Sequence, residues 1–409
     1  MATYSLVQLF GWLILANIPL VWCLPVKERG GYKILSGATW TGSSTSVVDG
    51  TASGTPTTAR PSQATAPASA LQPTNTQTCN LYVEFCNRRY SDITYVGAHN
   101  SPFTGENNLA VNQNSDVKAQ LNDGIRMLQG QTHRVNQTIY YCHTRCDLLN
   151  AGTLEDYLKT VAEWLRDNPF EVVTILIGNG SFLNVGNYKV PLEKSGLAEL
   201  AYVPEKQSIK IDQWPTLSEM ILMGKRAVVF MDYKADEDAI PYILDEFKYM
   251  WETPFSPTDE NFPCTIDRPS DQPKNDTQGK LYMANHNLNT KLSIFGKSVL
   301  LPNTDNLNQT NGVSGFGSLG LMADNCRANW NRYPNFLLVD FYDIPDGSVF
   351  EVAARANNVT YSSRQKGPHG IYWTIVPALR PPVLAKLKLR TRNDLLWPAV
   401  QPKDGPPAL

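Results

Sequence analysis

The chain has 409 residues, a formal net charge of −2 and a hydrophobic content of 42%. This length accommodates one large domain with flanking tails or two small domains. The near-zero net charge, and the lack of a basic stripe interleaved with aromatic residues, exclude nucleic acid from the expected partners.

The first 24 residues are predicted to be a secretory signal peptide. Residues 6–23 carry no charge and are largely apolar, and charged residues follow at 27–29. This pattern is typical of a cleaved signal. An uncleaved signal anchor is the alternative, because a basic segment before the run is missing and the run is near the lower length limit for a membrane span. No later stretch is apolar enough to cross a bilayer.

Glycosylation sequons also indicate the secretory pathway. Chance explains roughly one or two such sequons in a chain of this kind. Five Asn-X-Ser/Thr sequons occur, at Asn136, Asn179, Asn275, Asn308 and Asn358. We therefore expect a secreted, extracellular glycoprotein, with the cell surface or the cell wall as alternative locations.

The cysteines suggest disulfides in an oxidising compartment. Of the 7 cysteines, Cys23 lies in the predicted signal, which leaves an even number after it. Six cysteines allow about fifteen pairings. Proximity along the sequence favours Cys79–Cys86, Cys142–Cys146 and Cys264–Cys326. A metal site of thiolates beside an imidazole is the alternative interpretation of the CHTRC segment at 142–146.

Composition divides the chain into four parts. Residues 1–24 are the predicted signal, and residues 25–78 are a Ser/Thr/Pro-rich spacer that cannot form a core. Such spacers are either O-glycosylated stalks or plain disordered linkers. Residues 79–360 carry the periodic apolar pattern of a folded domain. The basic, proline-rich residues 361–409 form a tail that we predict to be disordered.

Helices and strands are predicted to alternate through the folded part. Helices are predicted over residues 115–123, between Thr153 and the Asn168-Pro169 stop, from Thr216 to Gly224 and over 240–250. Near-continuous apolar runs at 171–177, 227–233, 280–286 and 336–342 are typical of buried strands. This alternation predicts a parallel sheet, and its length favours a single (β/α)8 barrel over two small domains.

Two histidines are candidates for proton transfer because each ends a strand-like run. Ile93, Tyr95 and Val96 precede His99, and the run at 139–141 precedes His143. Histidine is the side chain best suited to move a proton near neutral pH. For either histidine alone, the alternative is a strand-end residue that bonds a nearby carbonyl.

Six phrases support a family resemblance. In chain order they are AHN, GIRMLQGQ, CHTRCDLL, VVFMDY, ANHN and FLLVDFYD. Residues 79–360 resemble the X domain of phosphatidylinositol-specific phospholipase C (PI-PLC), and more closely the secreted fungal PLC-like phosphodiesterases. The resemblance implies a distorted (β/α)8 TIM barrel. It also implies His99 as the general base for the attacking inositol hydroxyl and His143 as the general acid for the departing diacylglycerol oxygen.

The chain departs from the family where the phosphate would bind. The reaction needs positive charge at phosphorus. Calcium-dependent members carry an acidic pair where this chain has Gln129 and Gln131, and the later acidic ligand falls near Gly178 or Asn179. Metal-independent bacterial members carry an Arg at the position of Gln131. Asn100 matches the family's Asn, so a weakly bound calcium ion is the one cofactor that the resemblance leaves open.

Other polar residues near the predicted strand ends are expected to line the head-group or phosphate site. Arg145, Lys234 and His133 are predicted substitutes for the missing charge. Asp232, Asp340 and Asp343 are expected to orient an imidazole, or else to pair with Lys234 or Arg332. His286 is expected to line the pocket, or else to bond backbone. Arg126 is expected to form a structural ion pair beneath the site.

The leading functional hypothesis is a phosphoric diester hydrolase that acts on a phosphoinositide or a related lipid head group. Asn100, Gln129 and Gln131 would line the phosphate site. The main alternative is a catalytically impaired barrel that binds lipid, inositol or glycan outside the cell. A third hypothesis is that the barrel cleaves another phosphodiester, such as a glycerophosphodiester or sphingomyelin. The expected partners are a phospholipid or inositol phosphate head group and, peripherally, a membrane surface, and we expect a monomer.

Overall fold

The computed structural model describes residues 76–105, 108–270, 272–294 and 297–362. The predicted signal, all but the last residues of the predicted spacer, and the predicted tail beyond residue 362 lie outside these ranges. Their assignments therefore stay predictions.

The described residues contain strands, helices and short 3-10 helices. The strands are β1 (Tyr95–Ala98), β2 (Met127–Val135), β3 (Thr138–Cys142), β4 (Asn150–Thr153), β5 (Val173–Asn179), β6 (Ala227–Met231), β7 (Leu244–Asp245), β8 (Met250–Glu252), β9 (Leu281–His286), β10 (Asn289–Ile294), β11 (Lys297–Pro302) and β12 (Phe336–Val339). The helices are α1 (Val117–Asp123), α2 (Leu154–Asp167), α3 (Gly186–Lys194), α4 (Leu197–Leu200), α5 (Leu217–Leu222), α6 (Glu246–Tyr249), α7 (Lys274–Gln278), α8 (Leu307–Thr310), α9 (Leu319–Trp330) and α10 (Ser348–Ala356). The 3-10 helices are Val83–Phe85, Tyr90–Asp92 and Ile211–Gln213.

Eight parallel strands form the central sheet. Their order is β7-β6-β5-β2-β1-β12-β9-β8, and every neighbouring pair along this path is parallel. The two end strands, β7 and β8, follow each other in the chain through the one-turn helix α6. Strands β3 and β4 extend β2 as an antiparallel meander, and β10 and β11 form a separate hairpin. A curled sheet of eight parallel strands with helices confirms the predicted distorted (β/α)8 fold.

Local end signals predicted the early helices well. Helix α1 begins after Asp116, whose side chain accepts a bond from the Ala119 backbone, and it ends at Gly124 with a φ of 111°. Helix α2 begins after Thr153, which caps the Asp156 backbone N–H. The predicted capping box at Thr216 and Glu219 is also present at the start of α5.

The predicted helix over 240–250 is wrong. The segment instead holds β7, α6 and the first residue of β8. Pro241 lacks a backbone donor near the start of the segment, and Leu244 and Met250 pack in the barrel-interior cluster. Apolar residues at 240, 243, 244 and 247 imitate the helical period, but burial inside the sheet determines the structure.

Strand alternation separates the core into two clusters. Leu128 packs in the outer cluster, between sheet and helices, whereas Met127 packs in the cluster inside the barrel. Because alternate residues of a strand face opposite sides, Gln129 and Gln131 face the barrel interior like Met127. The same rule assigns an inward direction to alternate residues of β9 and β12.

The three disulfides predicted from sequence proximity are confirmed. The structure contains Cys79–Cys86, Cys142–Cys146 and Cys264–Cys326. Within the described ranges, no helix has the length and apolar character to cross a membrane.

Candidate active site

His99 and Asp340 meet at the carboxyl ends of two neighbouring strands. His99 directly follows β1 and Asp340 directly follows β12, and these strands pair in register with Ala98 opposite Val339. His99 Nδ1 lies 2.7 Å from Asp340 Oδ1. Both side chains are buried. The predicted role of Asp340 as an acid that orients an imidazole therefore has the required geometry.

The buried carboxylate determines which nitrogen of His99 can act as a base. An ionised carboxylate only accepts hydrogen bonds, so His99 Nδ1 carries the proton that it donates to Asp340. The lone pair of the neutral imidazole is then on Nε2. Asn287 Nδ2 lies 3.4 Å from this nitrogen and faces it as a donor. The atom available to take a proton from a substrate is therefore Nε2.

A group of buried amides, which the sequence did not single out, holds this pair in place. Asn112 Nδ2 donates to Asp340 Oδ1 (2.9 Å), and Asn112 Oδ1 accepts from Asn100 Nδ2 (3.2 Å). Gln113 Nε2 donates to the backbone carbonyls of His99 and Val339. Asn112 and Gln113 lie in the long connection between β1 and α1. No periodic pattern there could have identified them as site residues from the sequence.

His143 reaches the rim on the returning arm of a hairpin. Strand β3 runs antiparallel to β2, with Thr132 opposite Tyr141, which brings the residue after Cys142 back toward the barrel mouth. The Cys142–Cys146 disulfide closes a short loop around His143. The imidazole packs edge-on against the Phe103 ring, with ring centres 5.2 Å apart.

The environment of His143 favours its neutral form. Burial, together with a smaller effect of the nearby His99, lowers the pKa of His143 to about 4, and Asp340 opposes this shift. His99 follows β1 at the carboxyl end of the sheet, and β3 returns His143 toward the same end. The pair of imidazoles predicted from sequence is therefore brought to one rim, and burial depresses the pKa of the predicted acid.

Gln129, Gln131 and His133 lie on the inward face of β2. Gln129 Oε1 accepts from the Asn100 backbone N–H at 2.8 Å. Gln131 Oε1 lies 3.2 Å from His133 Nε2, and burial lowers the pKa of His133. Gln129 also lines the small cavity inside the barrel mouth.

These residues do not fit a calcium site. Calcium needs six to eight oxygen ligands, several of them charged, yet Gln129 and Gln131 offer only neutral amide oxygens, each of which already makes one contact. The Asn179 amide is buried and bonds Leu183 and Tyr233. Across the described parts of the chain, no group of three or more His, Cys, Asp or Glu residues could hold a metal ion.

A charged cluster, of which the sequence analysis named only Asp232, lines the same cavity. Arg268 Nη1 lies 3.3 Å from Glu252 Oε2, and Arg268 Nη2 lies 3.5 Å from Asp232 Oδ2. The Arg268 guanidinium also lies against the rings of Phe255, Phe247 and Tyr233. Arg268 comes from the long loop after β8, where no periodic pattern could place it.

The carboxyl groups of this cluster carry less charge than their number suggests. Glu246 is fully buried and lines the cavity, and burial and the nearby Glu252 raise its pKa well above the ordinary value. Burial also raises the pKa of Asp232. Glu252 raises the pKa of Arg268 against the effect of burial. The cluster therefore contains a permanent cation, Arg268, and two carboxyl groups, Glu246 and Asp232, whose ionised forms are disfavoured by burial.

Other predicted site residues lie elsewhere. Arg145 pairs with Asp147 at the surface, with side chains that are 69% and 62% exposed. Lys234 is exposed just beyond β6. Asp343 bonds Asn114 at the surface. Neither of these two cations lines the barrel mouth, whereas His133, the third predicted substitute for the missing charge, lies beside Gln131 on β2. Arg126, as predicted, is a structural residue and pairs with Glu171 at 2.7 Å.

The prediction that His286 lines the pocket is wrong. His286 is fully buried, its Nε2 lies 2.7 Å from the Thr310 carbonyl, and its ring packs 3.8 Å from the centre of the Phe262 ring. Strand alternation explains the error: Asn285 and Asn287 face the barrel, so the residue between them faces the helices. Within the ANHN phrase, the side chain that lies beside His99 is the second Asn, Asn287.

Taken together, the fold and the site define a class of protein: a parallel barrel with two imidazoles at its carboxyl rim, one of them paired with a buried carboxylate. Such a site can remove and deliver protons on a small polar substrate. The family model PI-PLC X 1 matches residues 85–357. The chain therefore belongs to the PI-PLC X domain family.

Relatives agree with this membership. An "Uncharacterized secreted protein" of Arthroderma benhamiae is 63% identical over 295 residues, covering 72% of this chain and 67% of that protein. "PI-PLC X domain-containing protein 1" of the same fungus is 43% identical over 299 residues, covering 72% of this chain and 94% of that protein.

Solved structures were also compared. The phosphatidylinositol-specific phospholipase C of Listeria monocytogenes aligns with a TM-score of 0.45 at 14% identity, covering 66% of this chain and 95% of that chain. A point mutant of the phosphatidylinositol-specific phospholipase C from Staphylococcus aureus aligns with a TM-score of 0.47 at 14% identity, covering 68% of this chain and 95% of that chain.

Proposed function

We propose that the protein is a PLC-like phosphoric diester hydrolase that cleaves a phosphoinositide or a related lipid head group. A ring hydroxyl of the head group attacks phosphorus and gives its proton to His99 Nε2. The bond from phosphorus to the glycerol oxygen breaks, and that oxygen takes a proton from His143. The products are diacylglycerol and a cyclic phosphodiester of the head group.

The observation that carries the proposal is the buried His99–Asp340 pair, with His143 returned to the same rim by β3. Asp340 fixes the Nδ1–H tautomer and stabilises the imidazolium that forms when Nε2 takes a proton. A purely structural histidine has no need of a buried, orienting carboxylate. His286 illustrates the contrast, because its described partners are backbone groups and a Met sulfur.

The proposal requires that substrate changes the protonation of His143. A general acid must be protonated, whereas burial holds the pKa of free His143 at about 4. The phosphodiester anion placed beside His143 favours its charged form and raises its pKa. Substrate binding thus prepares the acid in the same step that brings the attacking hydroxyl to His99.

The polar side of the barrel mouth suits a polyhydroxylated head group. Asp232 and Glu252 provide acceptors and Arg268 provides donors within one cavity. Hydroxyl groups both donate and accept, so they can bond to this cluster without a net charge. The cluster supports contact with one hydroxyl of an inositol ring or a related polyol at the barrel mouth.

Exposed apolar residues support peripheral contact with a membrane. They lie in connections that follow barrel strands at the site's end of the barrel: Leu109, Leu148, Phe182, Tyr233, Phe255 and Phe316. Exposed apolar groups around a binding site are typical of contact with lipid or protein. Secretion is proposed on the three disulfides, which are typical of extracellular chains, and on the printed name of one relative.

The test incubates the full chain with phosphatidylinositol vesicles beside His99→Ala and His143→Ala. We expect release of inositol phosphate that each substitution reduces by at least about 100-fold. His369→Ala, outside the described residues, is the matched control. Release that survives either site substitution would contradict the assigned roles.

A binding module is the second candidate. The neutral Gln129 and Gln131 favour it, because they occupy positions where calcium-dependent members of the family carry acids. In that case the folded wild-type chain binds phosphatidylinositol vesicles but releases no inositol phosphate.

A further inference from the structure

The orientation of the two glutamines on β2 determines which atoms they offer to a ligand. A backbone N–H only donates, so the contact with the Asn100 N–H fixes the oxygen end of the Gln129 amide. The amino end of Gln129 has no bonded partner among the described residues. Because the side chain lines the cavity in the barrel mouth, its N–H groups are the polar atoms left for a ligand.

Gln131 is oriented in the same way by an imidazole. An amide oxygen only accepts, so His133 Nε2 must carry a proton to bond Gln131 Oε1 at 3.2 Å. Burial lowers the pKa of His133, which is consistent with a neutral ring protonated on Nε2. The amino end of Gln131 then points away from His133.

Two glycines, Gly178 on β5 and Gly180 just after it, make room for this arrangement. Strand β5 pairs with β2, and Gly178 lies opposite Gln131. A Cβ on Gly180 would lie 2.7 Å from the His133 ring, and one on Gly178 would lie 3.2 Å from Gln131 Cα. Side chains at both positions would therefore disturb the Gln131–His133 pair.

We propose that Gln129 and Gln131 form an amide clamp, in which their N–H groups donate to the non-bridging phosphate oxygens and replace a divalent cation. This inference rests on the proposed function. N–H donors held where negative charge develops stabilise a transition state without a metal. The same groups repel a cation, so the substitution of amides for acids changes the ligand that this position accepts.

Turnover in a chelator is the first arm of the test. The variants are Gln129→Glu, Gln131→Glu and the double change, and surface Gln278→Glu is the matched control. In EDTA we expect wild-type turnover of phosphatidylinositol to persist and each site variant to lose about 100-fold or more. The double variant should bind one more calcium ion than wild type by calorimetry, and calcium should restore part of its turnover. Wild-type turnover that stops in EDTA would overturn the clamp, as would Gln→Glu variants that keep full turnover there.

Ligand selectivity is the second arm and does not depend on turnover. Affinities for myo-inositol 1-phosphate and for myo-inositol are compared in wild type and in Gln129→Met, which removes the donors without adding charge. We expect the preference for the phosphorylated ligand to fall at least tenfold, with circular dichroism confirming the fold. An unchanged preference, or none in wild type, overturns the clamp. If wild type shows this preference but hydrolyses no phosphodiester, the proposed function fails and the clamp stands.

Discussion

Replacing Asp340 by Asn tests the His99–Asp340 pair with little change of shape. The carboxylate lies 2.7 Å from His99 Nδ1 and is buried. When His99 takes a proton, opposite charges lie about 4 Å apart, and at an effective dielectric constant near 20 they attract by about 4 kcal/mol. Losing this attraction raises the barrier by the same amount, which corresponds to about a 10³-fold loss of turnover.

The assay measures initial rates of phosphatidylinositol cleavage by Asp340→Asn and wild type across pH. Asp343→Asn is the matched control, because Asp343 bonds only Asn114 among the described residues and lies at the surface. Thermal melting checks that the fold persists. A loss smaller than about tenfold, or an equal loss in the control, would refute the role of Asp340, because neither agrees with a buried charge that stabilises the imidazolium.

The remaining predictions concern protonation and glycosylation. By NMR, His143 of the free protein should titrate with a pKa of about 4, and myo-inositol 1-phosphate should raise that pKa. An unchanged pKa would show that the phosphate does not bind beside His143. Burial lowers the pKa of His286 from 6.5 to about 4, so between these two pH values the unfolded chain binds more protons than the folded chain. The free energy of unfolding should therefore fall by about 3 kcal/mol as the pH drops from above 6.5 to about 4. His286→Gln should flatten that slope in urea denaturation, and an unchanged slope would contradict the assignment. Asn179 is fully buried and bonded, whereas Asn136, Asn308 and Asn358 are exposed; mass spectrometry of the secreted protein should find glycan among the exposed sequons and none on Asn179.

The barrel and its two histidines could be predicted because their signals are local. The Gly124 end of α1, the Thr153 cap of α2 and the apolar runs at β6, β9 and β12 depend on neighbours in sequence. Short spacing likewise identified the Cys142–Cys146 disulfide. The predicted helix over 240–250 failed because burial inside the barrel, which depends on distant strands, outweighed a helical spacing.

The surroundings of the site could not be predicted because they depend on contacts across the fold. Asn112 and Arg268 come from long connections that carry no periodic pattern. His286 was predicted in place of Asn287 because sequence alone does not give the register of a short strand, and a shift of one residue reverses every side chain. The orientation of Gln129 depends on a backbone N–H from another strand end.

The most direct test of the central claim is phosphorus NMR of phosphatidylinositol vesicles incubated with the full chain in EDTA. Attack by a ring hydroxyl, with His99 as the base and without a metal, predicts a cyclic inositol phosphodiester as the first product. That signal should be absent with His99→Ala. No product from folded wild type, or a product that forms only when calcium is added, would contradict the account.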